Sequence, residues 1–237
     1  MPIRHHFELF ETITTIIADS SDIIDAACFG LREARHEIER YILQDPFFRI
    51  SYEPVKVPEN PPIVRKMANA ALLARVGPMA SVAGAIAEAG VKRARDAGAD
   101  YCIIDNGGDI ALITDREIRV GLYAGDSPLS GGYAFLIKPI SGIYGICTSS
   151  ATVGHSFSFG SADSVTVFSP DPVLADAVAT SVCNELTVDD QTCFDRVDPD
   201  IDGIFAVFGE KSLMWGDIPP IVPARSKEKL ITRGGSG

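Results

Sequence analysis

The sequence has no apolar run long enough to cross a bilayer. Its 237 residues contain no stretch approaching the roughly 20 apolar residues of a transmembrane helix, and the first ten residues, MPIRHHFELF, contain no apolar signal core. The five cysteines form no Cys-x-x-Cys pair, which excludes the usual zinc-finger and thioredoxin-like motifs. These absences predict a cytoplasmic protein that has no membrane partner.

Positive charge is also scarce. Lys and Arg total 21 against 32 Asp and Glu, which gives a formal net charge of −11. A phosphate backbone would be repelled by this charge, so nucleic acid is not an expected partner. The charge does not exclude a small anionic ligand held by backbone amides. Hydrophobic residues make up 46% of the chain, which is typical of a folded protein rather than a disordered one.

The periodicity of apolar residues predicts an α+β protein rather than a doubly wound α/β fold. Strands are expected at 7–18 and, at a sheet edge, at 47–57, where Pro54 and Pro58 disfavour a central position. From residue 101 onward, short apolar runs separated by turns predict an antiparallel sheet and a final hairpin. Helices are predicted at 21–43, at 172–187 and, hinged at Val76-Gly77-Pro78, twice within 63–97. We expect one domain over 1–223 and a flexible tail over 224–237.

Two glycine-containing stretches are candidates for a site. Gly77-Pro78-Met79-Ala80-Ser81 opens a helix rich in small residues, which indicates either tight packing on a sheet or a helix N-terminus facing a ligand. Asp105-Asn106-Gly107-Gly108-Asp109 lies between two predicted strands. Two successive glycines form either a hairpin turn or a nest of inward-facing amides. The stretch is not Gly-x-Gly-x-x-Gly, and no helix follows it, so a Rossmann site is disfavoured.

A third stretch, CTSSATVGHSFSFGSADS at 147–164, is rich in hydroxyl groups and contains His155. One interpretation is a structured surface loop. The other is a wall that binds phosphate or hydroxyl groups of a ligand, with Thr148, Ser149 and Ser150 at its start. No Gly-x-Ser-x-Gly nucleophile elbow is present, so a serine hydrolase is disfavoured.

The fourth stretch is ADAVAT at 175–180. On a helix, Asp176 and Thr180 are i,i+4 neighbours and share one face. A carboxylate and a hydroxyl at this spacing are hard oxygen ligands that suit Mg²⁺. The alternative is structural: an aspartate near the helix start favours the helix dipole, and a threonine hydroxyl bonds back to a carbonyl.

The order of the four stretches resembles that of the ApbE family. A GP-x-A-x-x-AG-x-x-AE helix comes first, followed by N-GGD-I, TSS, SVTV and ADA-x-AT. ApbE proteins are flavin transferases that use FAD and Mg²⁺, and were formerly called thiamine-biosynthesis lipoproteins. The resemblance implies that Asp176 and Thr180 hold Mg²⁺ together with a backbone carbonyl near Ala83 or Gly84. It further implies that the GGD turn lies beside the flavin.

The chain is most similar to a shorter group of ApbE relatives found in archaea and anaerobic bacteria. This resemblance covers roughly 60–220 and implies two T-fold-like halves with antiparallel sheets and packed helices. The sequence departs from ApbE in two places. It lacks the His-x-x-Asp-Pro-x-x-Gly stretch that contacts FAD, and Ala83-Gly84 stands where a Lys-Gly pair is usual.

Three functional hypotheses follow. The first is a transferase of the ApbE type that binds FAD or FMN, or a nucleotide-like ligand, together with Mg²⁺. Its cleft would be lined by Gly107, Gly108, Asp109, Thr148, Ser149 and Ser150, with Asp109 and His155 as catalytic residues. The second, implied by relatives of the shorter group, is sulfur assimilation from sulfide to homocysteine, in which Cys102 and Cys147 could take part. The third is a non-catalytic binding protein on a degenerate fold. A homo-oligomer is left open.

Overall fold

The computed structural model describes residues 1–59, 61–150 and 161–224. Its strands are β1 Ile3–Leu9, β2 Thr12–Ala18, β3 Cys102–Asn106, β4 Asp109–Thr114, β5 Ile118–Gly121, β6 Tyr133–Ile137, β7 Ile140–Ser149, β8 Ser164–Ser169, β9 Gly203–Phe208, β10 Lys211–Gly216 and β11 Ile221–Pro223. Its α-helices are α1 Ser21–Gln44, α2 Phe47–Ile50, α3 Pro62–Ala74, α4 Val82–Asp96 and α5 Pro172–Glu185, and 3₁₀ turns cover Pro78–Ser81 and Thr192–Arg196.

An antiparallel eight-stranded sheet forms the centre of the structure, in the order β1-β2-β3-β4-β7-β8-β9-β10. A separate three-stranded sheet has the order β11-β6-β5. Along β3, Cys102 and Ile104 belong to the hydrophobic core under the helices, whereas Ile103 belongs to the core shared with the small sheet. The large sheet therefore lies between a helical layer and the small sheet.

The large sheet consists of two halves with the same plan. In the first half, β1 and β2 form a hairpin, α1 to α4 follow, and β3 and β4 form a second hairpin. In the second half, the antiparallel pair β7 and β8 is followed by α5 and then by the hairpin of β9 and β10. The pairing of β4 with β7 joins the halves into one sheet. This arrangement confirms the predicted α+β class and matches the two predicted halves.

Local sequence signals explain where the main helices begin. The Ser20 side chain accepts a hydrogen bond from the Ile23 amide and caps α1, which begins where the predicted helix 21–43 does. Pro62 is the first residue of α3, a position where a missing N–H costs nothing. The Asp171 carboxylate accepts hydrogen bonds from the amides of Val173 and Leu174 at the start of α5. The predicted break at Val76-Gly77-Pro78 also separates α3 from α4.

Two strand predictions were wrong. Residues 47–57 do not form an edge strand, because Phe47–Ile50 is a short helix and irregular chain follows. The Asp45 carboxylate accepts a hydrogen bond from the Phe47 amide, and the fully buried Phe48 packs edge-on against Tyr41. Residues 7–18 form parts of two strands rather than one, and β11 was not predicted.

Within the described residues, no single helix has the length and apolar character needed to span a membrane. Pro62–Ala74 and Pro78–Asp96 meet that criterion of length and composition only as a pair, and the two segments are bent by 104° from one another. Of the predicted flexible tail, Ala224 lies in the described part, where its amide donates a hydrogen bond to the Gly132 carbonyl. Residues 225–237 lie outside it, so the prediction of flexibility stays a prediction.

Candidate active site

The glycine pair forms the two-residue turn between β3 and β4. Asn106 and Asp109 are paired across this hairpin, and Gly107 and Gly108 have φ angles of 71° and 106°. Positive φ at both central positions is the geometry that glycine adopts without a steric cost. The Gly108 amide donates a 3.0 Å hydrogen bond to the Asp105 carboxylate, which closes the turn. The stretch is therefore a hairpin turn, and Asp105 has a structural role in it.

Asp109 emerges from this turn onto the helical side of the sheet. It is paired with Cys147 on β7, whose side chain lies in the core under the helices, and directly opposite residues share a face. The Asp109 carboxylate accepts hydrogen bonds from the Thr148 amide and the Cys147 thiol. Burial and the nearby negative charges of Asp176 and Asp105 raise the pKa of Asp109 well above its usual value.

Asp176 reaches the same place from helix α5. Its side chain is buried, and one carboxylate oxygen accepts a 2.8 Å hydrogen bond from the Gly84 amide. The Ala83 amide donates to it as well. Asp176 thus caps the N-terminus of a neighbouring helix, α4, whereas Asp171 caps its own helix. Burial raises the pKa of Asp176 to about 7 although both amide hydrogen bonds oppose this shift.

Glycine allows α4, α5 and β7 to approach one another at this point. A Cβ atom on Gly84 would lie 2.4 Å from the Pro172 carbonyl oxygen and 2.9 Å from Asp176 Cβ. A Cβ on Gly145 would lie 2.5 Å from Pro172 Cα. Helix α4, which is rich in small residues, therefore packs closely against α5. This close packing places the Asp176 carboxylate at the N-terminus of α4. The packing interpretation of this helix is therefore confirmed at Gly84, whereas a ligand at its N-terminus stays a prediction.

The hydroxyl groups predicted to form a wall lie at the end of β7, where Thr148 and Ser149 are its last two residues and Ser150 follows. Thr148 and Thr166 share a 3.0 Å hydrogen bond between their side chains across two strands. The Ser150 hydroxyl donates a 2.7 Å hydrogen bond to the Asp163 carbonyl, which links the residue after β7 to the residue before β8. The predicted catalytic residue His155 lies outside the described residues.

A cleft of about 1240 Å³ brings the predicted residues together. Its lining residues lie around the glycine turn and belong to the cores on both faces of the large sheet, and the two sets are called here the helix-side lobe and the small-sheet lobe. The helix-side lobe includes residues packed in the core under the helices, namely Ile38, Met79, Val82 and Ile86, and continues to Ala83, Asp109, Asp176 and Thr180. The small-sheet lobe is lined by residues of the other core, namely Ile17, Ile103, Ile110, Val120, Phe135 and Ile146. Gly107, Gly108, Thr148, Ser149 and Ser150 complete the lining.

Arg35 and Asn106 are two of the cleft residues that the sequence did not indicate as site residues. Arg35 belongs to the run REARHEIER, whose mixed charges are typical of a solvated helix face. In the structure its guanidinium instead donates to the Thr12 hydroxyl at 2.8 Å and forms ion pairs with Glu11 and Glu39. Asn106 is only 8% exposed, and its side-chain amide donates a 3.1 Å hydrogen bond to the Ala83 carbonyl. A polar residue at an inward strand position was the available signal for Asn106.

The cysteines are buried and carry no sign of thiolate chemistry. Cys102 and Cys147 are both fully buried, and burial raises the pKa of each thiol, to about 12 for Cys102. The Pro172 carbonyl oxygen, 3.4 Å from the Cys147 sulfur, is an alternative acceptor for its single S–H proton. Because the thiolate is the reactive form, these two residues are poor nucleophiles. Both residues are therefore buried strand cysteines.

The groups of the cleft that could bind a metal ion are oxygen atoms. Among the described residues, no group of three or more His, Cys, Asp or Glu side chains is arranged to hold a metal ion. A cation in the helix-side lobe would therefore depend on mixed donors. The predicted set consists of the Asp176 carboxylate, the Thr180 hydroxyl and the Ala83 carbonyl, and all three residues line the cleft.

The layered sheet and the cleft at its glycine turn define a protein of the ApbE-like class. Three solved structures have the same fold: flavin transferase ApbE from Vibrio cholerae (TM-score 0.61, 13% identity, 91% of this chain and 96% of that one), the apo flavinyl transferase ApbE of Pseudomonas stutzeri (0.61, 8%, 99% and 98%), and the ApbE protein of Thermotoga maritima (0.62, 14%, 90% and 96%). At these identities the likeness shows the fold alone.

The chain belongs to the family whose model is described as "AbpE bacteria", which matches residues 4–205. Similar proteins extend over nearly its whole length. One from Methanospirillum hungatei is 68% identical over 100% of this chain and 97% of its own, and one from Methanoculleus marisnigri is 56% identical over 98% and 96%. Both are named "UPF0280 protein". The resemblance read from the sequence is confirmed.

Proposed function

We propose that the cleft binds a flavin nucleotide, FAD or FMN, together with Mg²⁺, and that the protein is a transferase of the ApbE type. The observation that carries this proposal is the meeting of Asp109, from β4, and Asp176, from α5, in a cleft of about 1240 Å³. Pockets for drug-sized ligands have about 300–1,000 Å³, so this cleft is large enough for a dinucleotide. Its two lobes suit a ligand with two ring systems.

The residues present fit a divalent cation. Carboxylate, hydroxyl and carbonyl oxygens are the ligands that Mg²⁺ prefers, and Asp176, Thr180 and Ala83 supply one of each. Burial and mutual repulsion penalise the ionised forms of Asp109 and Asp176, and a cation beside them would relieve this penalty. When bound, Mg²⁺ would neutralise charge on a pyrophosphate and stabilise the departing phosphate.

The protein groups around the cation would orient the ligand. The Gly107–Gly108 turn brings backbone to the cleft without side chains, and Thr148, Ser149 and Ser150 supply hydroxyl groups for polar atoms of the ligand. Asp109 is a candidate general base, because burial and the nearby Asp176 raise the pKa of its carboxyl and so make its carboxylate a stronger base. His155 stays a predicted catalytic residue.

The proposal is tested by titrating the purified protein with FAD while monitoring flavin fluorescence, with and without Mg²⁺. We expect quenching that saturates and tightens when Mg²⁺ is added. Asp176→Asn and Thr180→Val should remove the Mg²⁺ effect, and Asp189→Asn, an exposed aspartate outside the cleft lining, should leave it unchanged. Absence of quenching at millimolar FAD and Mg²⁺ would overturn the proposal.

The two other hypotheses are tested by the same titration and by two further measurements, namely product formation from FAD and growth of a deletion strain. FAD binding without release of AMP or transfer of FMN would support the non-catalytic binding protein. The sulfur-assimilation role finds no support in the cysteines, because the thiols of Cys102 and Cys147 are buried and their pKa values are raised. Growth on limiting sulfide by a deletion strain carrying Cys-to-Ala variants would exclude a thiol mechanism for that role.

A further inference from the structure

Asn106 is a polar residue at a position where the strand pattern calls for an apolar one. On the same face of β3, Cys102 and Ile104 are fully buried in the core under the helices, and Asn106 is the next residue on that face. Burying a carboxamide is costly unless its polar atoms find partners. An Asn here is therefore explained by the group it contacts.

The contact of Asn106 is with the first turn of α4. Its side-chain nitrogen donates to the Ala83 carbonyl oxygen at 3.1 Å. The amides of Ala83 and Gly84 donate to the Asp176 carboxylate from α5. The backbone of Ala83 is thus held from two sides, through its oxygen by the sheet and through its N–H by a helix of the other half.

We propose that Asn106 is a positioning residue for the cation site and that its carboxamide fixes the direction of the Ala83 carbonyl. This inference depends on the proposed function, in which that carbonyl is a cation ligand. Ligand oxygens of metal sites are oriented by hydrogen bonds from an outer shell of residues, and loss of such a partner typically lowers metal affinity by about 10- to 100-fold.

Rigid surroundings suit Asn106 to this role. It is the last residue of β3, paired with Thr14 on one side and with Asp109 on the other. The turn that follows is closed by the hydrogen bond from the Gly108 amide to Asp105. A donor held in this way restricts the carbonyl that it contacts.

Thr14 offers a matched control. It lies directly across from Asn106 on β2 and is also buried, but its hydroxyl makes no hydrogen bond among the described residues. Thr14→Val keeps the shape of the side chain and removes only this unpaired hydroxyl. A disturbance of the layer beneath α4 should affect both positions, whereas loss of the Ala83 contact affects Asn106 alone.

The experiment measures binding of Mn²⁺, a paramagnetic substitute for Mg²⁺, to the full chain by electron paramagnetic resonance without flavin. Asn106→Leu and, as a second variant, Asn106→Ala should bind Mn²⁺ about 10- to 100-fold more weakly than wild type. Thr14→Val should bind as wild type does. Thermal unfolding of each variant establishes that it is folded under the conditions of the titration.

The outcomes separate this inference from the proposed function. If wild type binds Mn²⁺ and Asp176→Asn does not, but both Asn106 variants bind as tightly as wild type or more tightly, the positioning role is wrong and the cation site stands. An equal loss of affinity in Thr14→Val would also contradict the role. If wild type binds no Mn²⁺ at millimolar concentration, the cation site and the role of Asn106 both fail.

Discussion

Two ionisable residues of the cleft are held in positions that penalise their charged forms. Asp109 and Asp176 are two carboxylates whose charges repel each other, and burial raises the pKa of both. Each has backbone N–H donors, Thr148 for one and Ala83 with Gly84 for the other, but these hydrogen bonds offset only part of the desolvation cost. Structural needs alone would be met by neutral side chains, so this pair is the strongest sign of function at the residue scale.

The raised pKa of Asp109 predicts a pH-dependent gain of stability in Asp109→Asn. The folded state binds this proton more tightly than the unfolded state, whose value is about 4, so ionising Asp109 destabilises the fold as pH rises above that value. Asparagine removes this cost and retains an oxygen acceptor. We expect a gain of more than about 1 kcal/mol in the free energy of unfolding at pH 8 and little at pH 4.5.

Urea unfolding at the two pH values, without added metal, measures this difference. Asp189→Asn is the matched control, because its exposed side chain should give no pH-dependent change. A gain in Asp109→Asn that is the same at pH 4.5 and pH 8, or a loss that grows with pH, would contradict the assignment of a buried, destabilised carboxylate.

The starts of the main helices were predicted correctly, whereas the short helix Phe47–Ile50 was not. Ser20, Pro62 and Asp171 mark helix starts by chemistry that acts within three or four residues, so the sequence shows them directly. The segment 47–57 has apolar residues of both strand and helix type. Its short helix is fixed by burial of Phe48 against Tyr41, a contact that periodicity cannot show.

The contact between α4 and α5 predicts a large effect of Gly84→Ala. Alanine is worth up to about 1 kcal/mol over glycine inside a helix, but the added Cβ would lie 2.4 Å from the Pro172 carbonyl, and backbone must move to accommodate it. Overpacking of this kind costs about 1–3 kcal/mol. We therefore expect a net loss of stability by urea unfolding and weaker Mn²⁺ binding, since Asp176 is displaced.

Gly142→Ala is the comparison for this substitution, because a Cβ on Gly142 meets no atom within 4 Å. Its free energy of unfolding should change by less than about 0.5 kcal/mol, which is usual for surface substitutions. An unchanged or higher stability of Gly84→Ala would show that α4 and α5 tolerate separation, and would remove the argument that close packing places Asp176.

At the scale of the whole molecule, the order of the motifs was sufficient to predict the family and the α+β architecture. Periodicity and spacing did not show that β4 and β7 join the two halves, which is the pairing that brings Asp109 beside Cys147 and Asp176. Nor did they show on which face of the sheet each candidate lies, because face depends on strand register. The single domain over 1–223, the cytoplasmic location and a homo-oligomer stay predictions.

The two lobes of the cleft predict which parts of the molecule bound ligands protect from hydrogen exchange. A cation alone would contact only the helix-side lobe, so Mg²⁺ should slow hydrogen exchange at the start of α4 and in α5. FAD has two ring systems joined by a pyrophosphate, and with Mg²⁺ it should also protect β5 and β6, whose Val120 and Phe135 line the small-sheet lobe. Exchange measured by mass spectrometry on wild type and Asp176→Asn distinguishes the two effects. If FAD with Mg²⁺ protects the helix-side lobe alone, the ligand does not extend around the glycine turn.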